Sequence, residues 1–125
     1  MIKGLGVDIV KINRISRIAD RWQDKFLNKV FTTTEINYCS QKKDKNQHLA
    51  ARFAAKEAVV KMLGTGFQKI GFKEIEVIND DRGKPEVKLY GRAKKTASKK
   101  GIITVHISLS HEREYAIPEV IGEGN

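Results

Sequence analysis

The stretch Arg52-Phe53-Ala54-Ala55-Lys56-Glu57-Ala58-Val59-Val60-Lys61-Met62-Leu63-Gly64-Thr65-Gly66 decides how the rest of the chain is read. Leu49, Phe53, Val60 and Leu63 recur at helical spacing among helix-favouring Ala, Lys and Glu, and Gly64 stands where a left-handed C-terminal cap belongs. The spacing predicts a long helix that begins near Asn46 or Gln47. Alanines and larger apolar side chains lie on nearly every side of it, so the helix is expected to be mostly buried and to carry charge only at a few places. Glu57 and Lys61 fall on one face, and Arg52 and Lys56 form a second close pair. Two readings of Glu57 and Lys61 stand at this point. They form an ordinary i,i+4 ion pair, or the carboxylate holds a cation while the ammonium faces an anion.

Towards the N-terminus, Leu5 to Val10 is a short apolar run rich in β-branched residues and reads as a buried strand, interrupted by Asp8. Asp8 caps the following helix, ends the strand at a turn, or is paired or metal-bound, because a free carboxylate in such a strand is costly. Ile12, Ile15, Ile18, Ala19 and Trp22 then trace the apolar stripe of an amphipathic helix. Arg14, Arg17, Arg21 and Lys25 line another face, with only Asp20 and Asp24 nearby to neutralise them, which makes a docking strip for an acidic partner. Phe26 to Phe31 continues or bends this helical region. Thr32-Thr33-Thr34-Glu35 matches a capping box and predicts a short helix from about Thr33 to Cys39, followed by a polar loop over Gln41 to Gln47.

Beyond Gly66 the period changes. Ile75 and Val77 alternate with Glu74 and Glu76, and Val87 and Leu89 alternate with Glu86 and Lys88, so two strands flank the Asn79 to Pro85 loop. Gly91 to Lys100 reads as a short basic helix ended by Gly101. Ile103, Val105, Ile107 and Leu109 face one way, towards a core, and Thr104, His106, Ser108 and Ser110 the other. Ser110-His111 turns into Tyr115-Ala116-Ile117, where Pro118 predicts an edge strand or a bulge.

The 125 residues suit a single domain over 1–125. Helices grouped in the first half and strands in the second predict an α+β fold, an antiparallel sheet packed against the long central helix. Lys plus Arg number 24 against 15 Asp plus Glu, a net charge of +9, so the surface attracts anions: nucleic acid, phosphorylated small molecules, anionic membrane or an acidic protein. Cys39 is the only cysteine, which rules out an internal disulfide and fits a reducing cytosolic setting. No apolar run reaches membrane-spanning length and the N-terminus lacks a signal-like segment, so a soluble, unprocessed chain is expected.

No nucleophile triad, zinc cluster or dinucleotide fingerprint is present. Two isolated acids in apolar settings remain, Asp8 and Glu57, with Lys61, Arg52 and a glycine-containing loop. One or two carboxylates beside a lysine suit Mg²⁺ and a substrate phosphate, hence a phosphate ester or anhydride.

Gly6-Val7-Asp8-Ile9-Val10, the central FAAKEAVVKMLGTG, the NDDRGKP loop and the late ISLSH together resemble the holo-acyl-carrier-protein synthases, the small bacterial type of phosphopantetheinyl transferase. The resemblance runs from about residue 4 to residue 121. It implies that the phosphopantetheine arm of coenzyme A is moved onto a serine hydroxyl of apo acyl carrier protein for fatty acid synthesis, releasing adenosine 3',5'-bisphosphate. By the same resemblance Asp8 and Glu57 are Mg²⁺ ligands, with Mn²⁺ as an alternative metal, and Lys61 binds the pyrophosphate. Arg52 and His111 approach the 3'-phosphate, with Ser110 beside them, and Gly64-Thr65-Gly66 and Gly83-Lys84-Pro85 line the nucleotide. The serine proton is left to Glu57, Glu35 or a metal-bound water. The resemblance further implies a cytoplasmic homotrimer with active sites between subunits, Asp8, Glu57 and Lys61 from one chain meeting the Gly83 to Pro85 loop and His111 of its neighbour. The Arg14, Arg17, Arg21 and Lys25 strip becomes the surface that receives the acidic carrier.

Two other functions compete. A nucleic-acid-binding protein would use the charge, but aromatics are 7% of residues, are not grouped as a stacking platform, and leave Asp8 and Glu57 without a role. A non-catalytic adaptor would hold an acidic protein on the arginine strip and tolerate the loss of Glu57.

Overall fold

In the computed structural model, which describes residues 1–125, the decisive stretch lies in α4, Lys45–Leu63. Gly64 ends it in the left-handed conformation at φ 74°, its N–H bonded to Lys61 O at 3.1 Å and that of Thr65 to Val60 O at 3.2 Å, as the sequence predicts. The remaining elements are β1 Ile2–Val7, β2 Val10–Lys11, α1 Ile12–Trp22, α2 Asp24–Val30, α3 Thr33–Ser40, a 3-10 turn Phe72–Glu74, β3 Ile75–Asn79, β4 Pro85–Leu89, α5 Gly91–Lys99, β5 Thr104–His111 and β6 Tyr115–Glu123. The α+β expectation holds, with α4 as the spine of two adjoining cores. Its first half packs on Ile15, Phe31 and Cys39, and its second half on Ile70, Ile75 and Val120. Fully buried Phe31 and Leu63 each contribute about 1.5–3 kcal/mol by leaving water.

The N-terminal strand differs from its prediction. Leu5, Val7 and Ile9 are exposed, and the face turned inward is glycine. A Cβ on Gly6 would stand 1.9 Å from Ala58 O, and one on Gly4 2.5 Å from Met62 O, so α4 lies directly on the strand backbone. The strand forms, but its apolar side chains are not the buried ones: the inward partner of this strand is a helix backbone that leaves no room for side chains. Gly6→Ala is therefore expected to force the strand and helix apart and to destabilise the protein by roughly 1–3 kcal/mol, measured by denaturant unfolding.

β6 is the centre of the main sheet and not an edge strand: β5 pairs along one side, β1 and β2 end to end along the other, all antiparallel. Pro118 is tolerated because its carbonyl, and so its missing N–H, faces the gap between β1 and β2, where Asp8 N–H reaches Pro118 O at 3.3 Å. β3 and β4 form a separate two-stranded sheet. Two further predictions are corrected. Trp22 is exposed beneath the Arg21 guanidinium, because Gln23 at φ 44° breaks the helix there and turns α2 away. The apolar face of β5 is only half-covered at Val105, Ile107 and Leu109, and Ile103 is open.

Candidate active site

Helical spacing sets Glu57 and Lys61 one turn apart on α4, and the break after β1 brings Asp8 against them. Of the two readings of Glu57 and Lys61, the i,i+4 ion pair is not formed. Lys61 Nζ instead donates to Asp8 Oδ1 at 3.1 Å and to Val7 O at 3.2 Å. Asp8 caps nothing, because α1 begins after Lys11 without a side-chain cap. The Asp8 side chain is 12% exposed and that of Lys61 56%, so the third hydrogen of the ammonium is open to an incoming anion. Burial first, and then the Asp8 carboxylate, push the Glu57 carboxyl above its ordinary range, while Arg14 and Lys61 pull it partly back.

Burial and the neighbouring Asp8 carboxylate raise the proton affinity of Glu57, and a cation held by the two acids would oppose that rise. No third His, Cys, Asp or Glu joins them to complete an all-protein cage. Mg²⁺ is suited by such a set: hard oxygen donors, one or two carboxylates, and the remaining positions left to water and substrate phosphate. The residues present fit the metal.

A second group meets elsewhere, in which the predicted Arg52, Gly83, Lys84, Pro85 and His111 are joined by Tyr38, His48 and Asn79, which the sequence did not single out. Tyr38, His48, Arg52, Asn79, Gly83, Lys84, Pro85 and His111 line a cleft of about 450 Å³, closed by Ile107 and Leu109 of β5. The Arg52 guanidinium lies 4.3 Å from the Tyr38 ring centre, donates through Nη2 to Asn79 Oδ1, and keeps a buried Nε without a partner. The loop wall is shaped by Asp80, whose Oδ1 accepts from Arg82 and Lys84 N–H at 2.9 Å each, and by Gly83 at φ 85°. His111 is steadied by Gln47, whose Nε2 donates to its Nδ1 at 2.9 Å and to Glu112 O at 3.1 Å. Burial, Arg52 and His111 together hold His48 below the usual histidine range, so it is neutral at pH 7. Arg52 stacked on Tyr38, with Lys84 and the His48 and His111 rings in the same lining, suits this cleft to a planar, anionic ligand.

Ser110 and Gly64-Thr65-Gly66 are not in the cleft. Ser108, on the same side of β5 as Ser110 but two residues earlier along the strand, lines it instead; the glycine segment caps α4, where Thr65 Oγ1 is buried without a partner. Asp8, Glu57 and Lys61 do not line it either, so within the chain they form a group separate from the cleft. Arg52, grouped by spacing with Lys56 on the same helix, belongs to the cleft with His111 and the loop. Arg14, Arg17, Arg21 and Lys25 are all exposed and form no ion pair within the chain.

Sequence reasoning missed the role of Lys56. Its ammonium is fully buried on Glu35 Oε1 at 2.8 Å, and Glu35 also accepts from Thr32 N–H at 2.9 Å and Val77 N–H at 2.8 Å. The capping box predicted at Thr32 is present. Glu35 is thereby withdrawn as a general base: it has no exposure and three donors already on its oxygens. A lysine among alanines on a helix mostly buried by pattern was the available signal.

Comparison with known proteins accords with this geometry. Residues 4–118 match the family model described as the 4'-phosphopantetheinyl transferase superfamily. The chain is 54% identical over 123 residues to the holo-[acyl-carrier-protein] synthase of Halothermothrix orenii, covering 98% of each chain. Its fold superposes on the crystal structure of the holo-[acyl-carrier-protein] synthase from Neisseria meningitidis with a TM-score of 0.88 and 37% identity, over 98% of this chain and 99% of that one. The synthase from Bacillus anthracis, solved in complex with CoA (3',5'-ADP), gives 0.83 and 38% over 100% and 99%. With a matching family model over nearly its whole length, the two carboxylates beside Lys61 and the cleft around Arg52, the chain belongs to the 4'-phosphopantetheinyl transferase superfamily, among the holo-acyl-carrier-protein synthases.

Proposed function

We propose that this enzyme transfers the phosphopantetheine arm of coenzyme A to a serine hydroxyl of apo acyl carrier protein with Mg²⁺ bound at Asp8 and Glu57. The observation that carries the reading is the joint placement of Asp8, Glu57 and Lys61: two neighbouring carboxylates that share one half-exposed ammonium, itself bonded to Asp8. The serine oxygen attacks the β-phosphorus, the bond from that phosphorus to the bridging oxygen breaks, and adenosine 3',5'-bisphosphate leaves. Mg²⁺, or Mn²⁺ in its place, would supply charge neutralisation on the pyrophosphate when bound. Lys61 shares that charge through the one hydrogen left free of Asp8 and Val7. Glu57, which forms no ion pair with a lysine or arginine, is assigned the serine proton. Arg52, His111 and Lys84 hold the nucleotide end, with Pro85 and Tyr38 as flat walls.

The carrier docks on Arg14, Arg17, Arg21 and Lys25. Four exposed cations without internal partners suit an acidic helix and accelerate encounter at low salt.

We further infer a homotrimer in the cytoplasm. Two observations favour assembly: the Asp8, Glu57 and Lys61 group and the cleft are separate within one chain, and Ile2, Leu5, Val7, Ile9 and Ile117 leave an apolar stripe exposed on the outer sheet. Complementation tests it. Glu57→Gln and Arg52→Ala proteins are each expected to be inactive, and refolding them together is expected to recover about a quarter of wild-type activity or less, in mixed oligomers that join one intact metal half to one intact cleft. Absence of any recovery in demonstrably mixed oligomers would place each complete site within a single chain.

A further inference from the structure

β3 has a ladder partner on one edge only, β4, and the hairpin they form makes no ladder with the main sheet. Two side chains meet its other edge. Lys56 Nζ donates to Ile75 O at 2.5 Å, to Phe72 O at 3.0 Å and to Glu35 Oε1 at 2.8 Å, which uses all three of its hydrogens. Glu35 Oε2 accepts the Val77 N–H at 2.8 Å. The pair thus does for β3 what a neighbouring strand does: it accepts an N–H and donates to the carbonyl two residues earlier. Both side chains are 0% exposed, so water cannot substitute for either.

This edge leads straight to the cleft. Two residues after Val77 comes Asn79, which accepts from Arg52 Nη2, and the chain then turns through Gly83, Lys84 and Pro85. Arg52 lies one turn before Lys56 on α4, so the same helix face sets one wall and anchors the other. The hairpin has few other polar tethers to the helices, chiefly Glu76, which accepts from Thr32 Oγ1 at 2.6 Å.

We propose that Lys56 and Glu35 are positioning residues for nucleotide recognition: they replace a missing strand along the free edge of β3 and set the separation between Arg52 and the Asn79 to Pro85 wall. The inference rests on reading the cleft as the site for the nucleotide end of coenzyme A. Neither side chain touches substrate. Their effect is on ground-state binding of one substrate and not on the chemistry at Asp8, Glu57 and Lys61.

The test is the charge-free double variant Glu35→Leu/Lys56→Met, studied as the full chain, because removing both charges together leaves no buried ion behind. The KM for coenzyme A is expected to rise about tenfold, with kcat and the KM for apo carrier changed less than about twofold. On the free protein, hydrogen exchange at the Val77 amide is expected to accelerate about 100-fold while amides in the middle of α4 keep their protection. Lys56→Arg, which retains a cation for Glu35 but offers a planar fork to three converging acceptors, is expected to show the same split at smaller size and covers the case in which the double variant does not fold. An unchanged KM for coenzyme A in a folded variant, or losses that only track the folded fraction, would overturn the proposal. Wild-type protein that fails to bind coenzyme A at all would overturn the cleft reading, and the inference with it, whatever the Val77 exchange shows.

Discussion

Glu57→Gln is expected to abolish metal-dependent transfer, and Lys61→Ala to lower turnover by about 10²- to 10³-fold while leaving the fold intact. The two losses have different origins. Glutamine is nearly isosteric with glutamate but provides neither the anionic oxygen a divalent cation needs nor a site for the serine proton. Lys61 is half-exposed and its bond to Asp8 is a surface contact worth about 1 kcal/mol or less to stability, so its removal is felt in the transition state and not in folding. Thermal shift separates the two: Mg²⁺ is expected to raise the Tm of wild type and of Lys61→Ala, and to leave Glu57→Gln unmoved. The pH dependence follows from Glu57. Its carboxyl is raised in the folded apo protein, so it contributes stability below its unfolded value that is lost as pH rises through the higher folded value. Mg²⁺ binding needs the deprotonated form and opposes that loss. The Mg²⁺-induced rise in Tm is therefore expected to grow as pH rises through the raised Glu57 titration, from small in acid to full once the carboxyl is ionised.

Lys56→Met alone is expected to be among the most destabilising single substitutions in the chain, costing about 3–5 kcal/mol, because it strands the Glu35 carboxylate without exposure or counter-charge. Burial pulls the Lys56 ammonium below its usual range, and only the Glu35 carboxylate opposes that strongly. For a domain of this size the loss corresponds to a fall in Tm of roughly 10–20 °C. Equilibrium unfolding measures it, and a Lys56→Met protein as stable as wild type would show that the pair is not fully desolvated. Adding Glu35→Leu is expected to recover much of the loss in stability but not the affinity for coenzyme A.

What could be read ahead of the structure divides by physical cause. α4, its glycine cap and the Thr32 box are local: helical period, αL preference and an i to i+3 side-chain bond all act within a few residues, and all were legible. The hairpin was legible from alternation and from Asn79-Asp80-Asp81-Arg82-Gly83. The inward-facing glycines of β1 were not, since an apolar alternation reads the same whichever side the helix lies on. The central place of β6 was hidden by Pro118, which is acceptable there only because a gap between β1 and β2 falls opposite it. Among the candidate residues, spacing put Glu57 with Lys61, but the bond that formed crosses 53 positions to Asp8. No spacing rule reaches that far. The Lys56–Glu35 pair escaped for the same reason, and because Glu35 was already explained by its cap.

The most direct test of the central claim is the intact mass of an apo acyl carrier protein after incubation with this enzyme, coenzyme A and Mg²⁺, run beside Glu57→Gln and a chelator control. The account predicts a carrier heavier by one phosphopantetheine arm with wild type, and unmodified carrier in both controls. A carrier modified equally by Glu57→Gln, or one left unmodified by folded wild type that binds both partners, would contradict it.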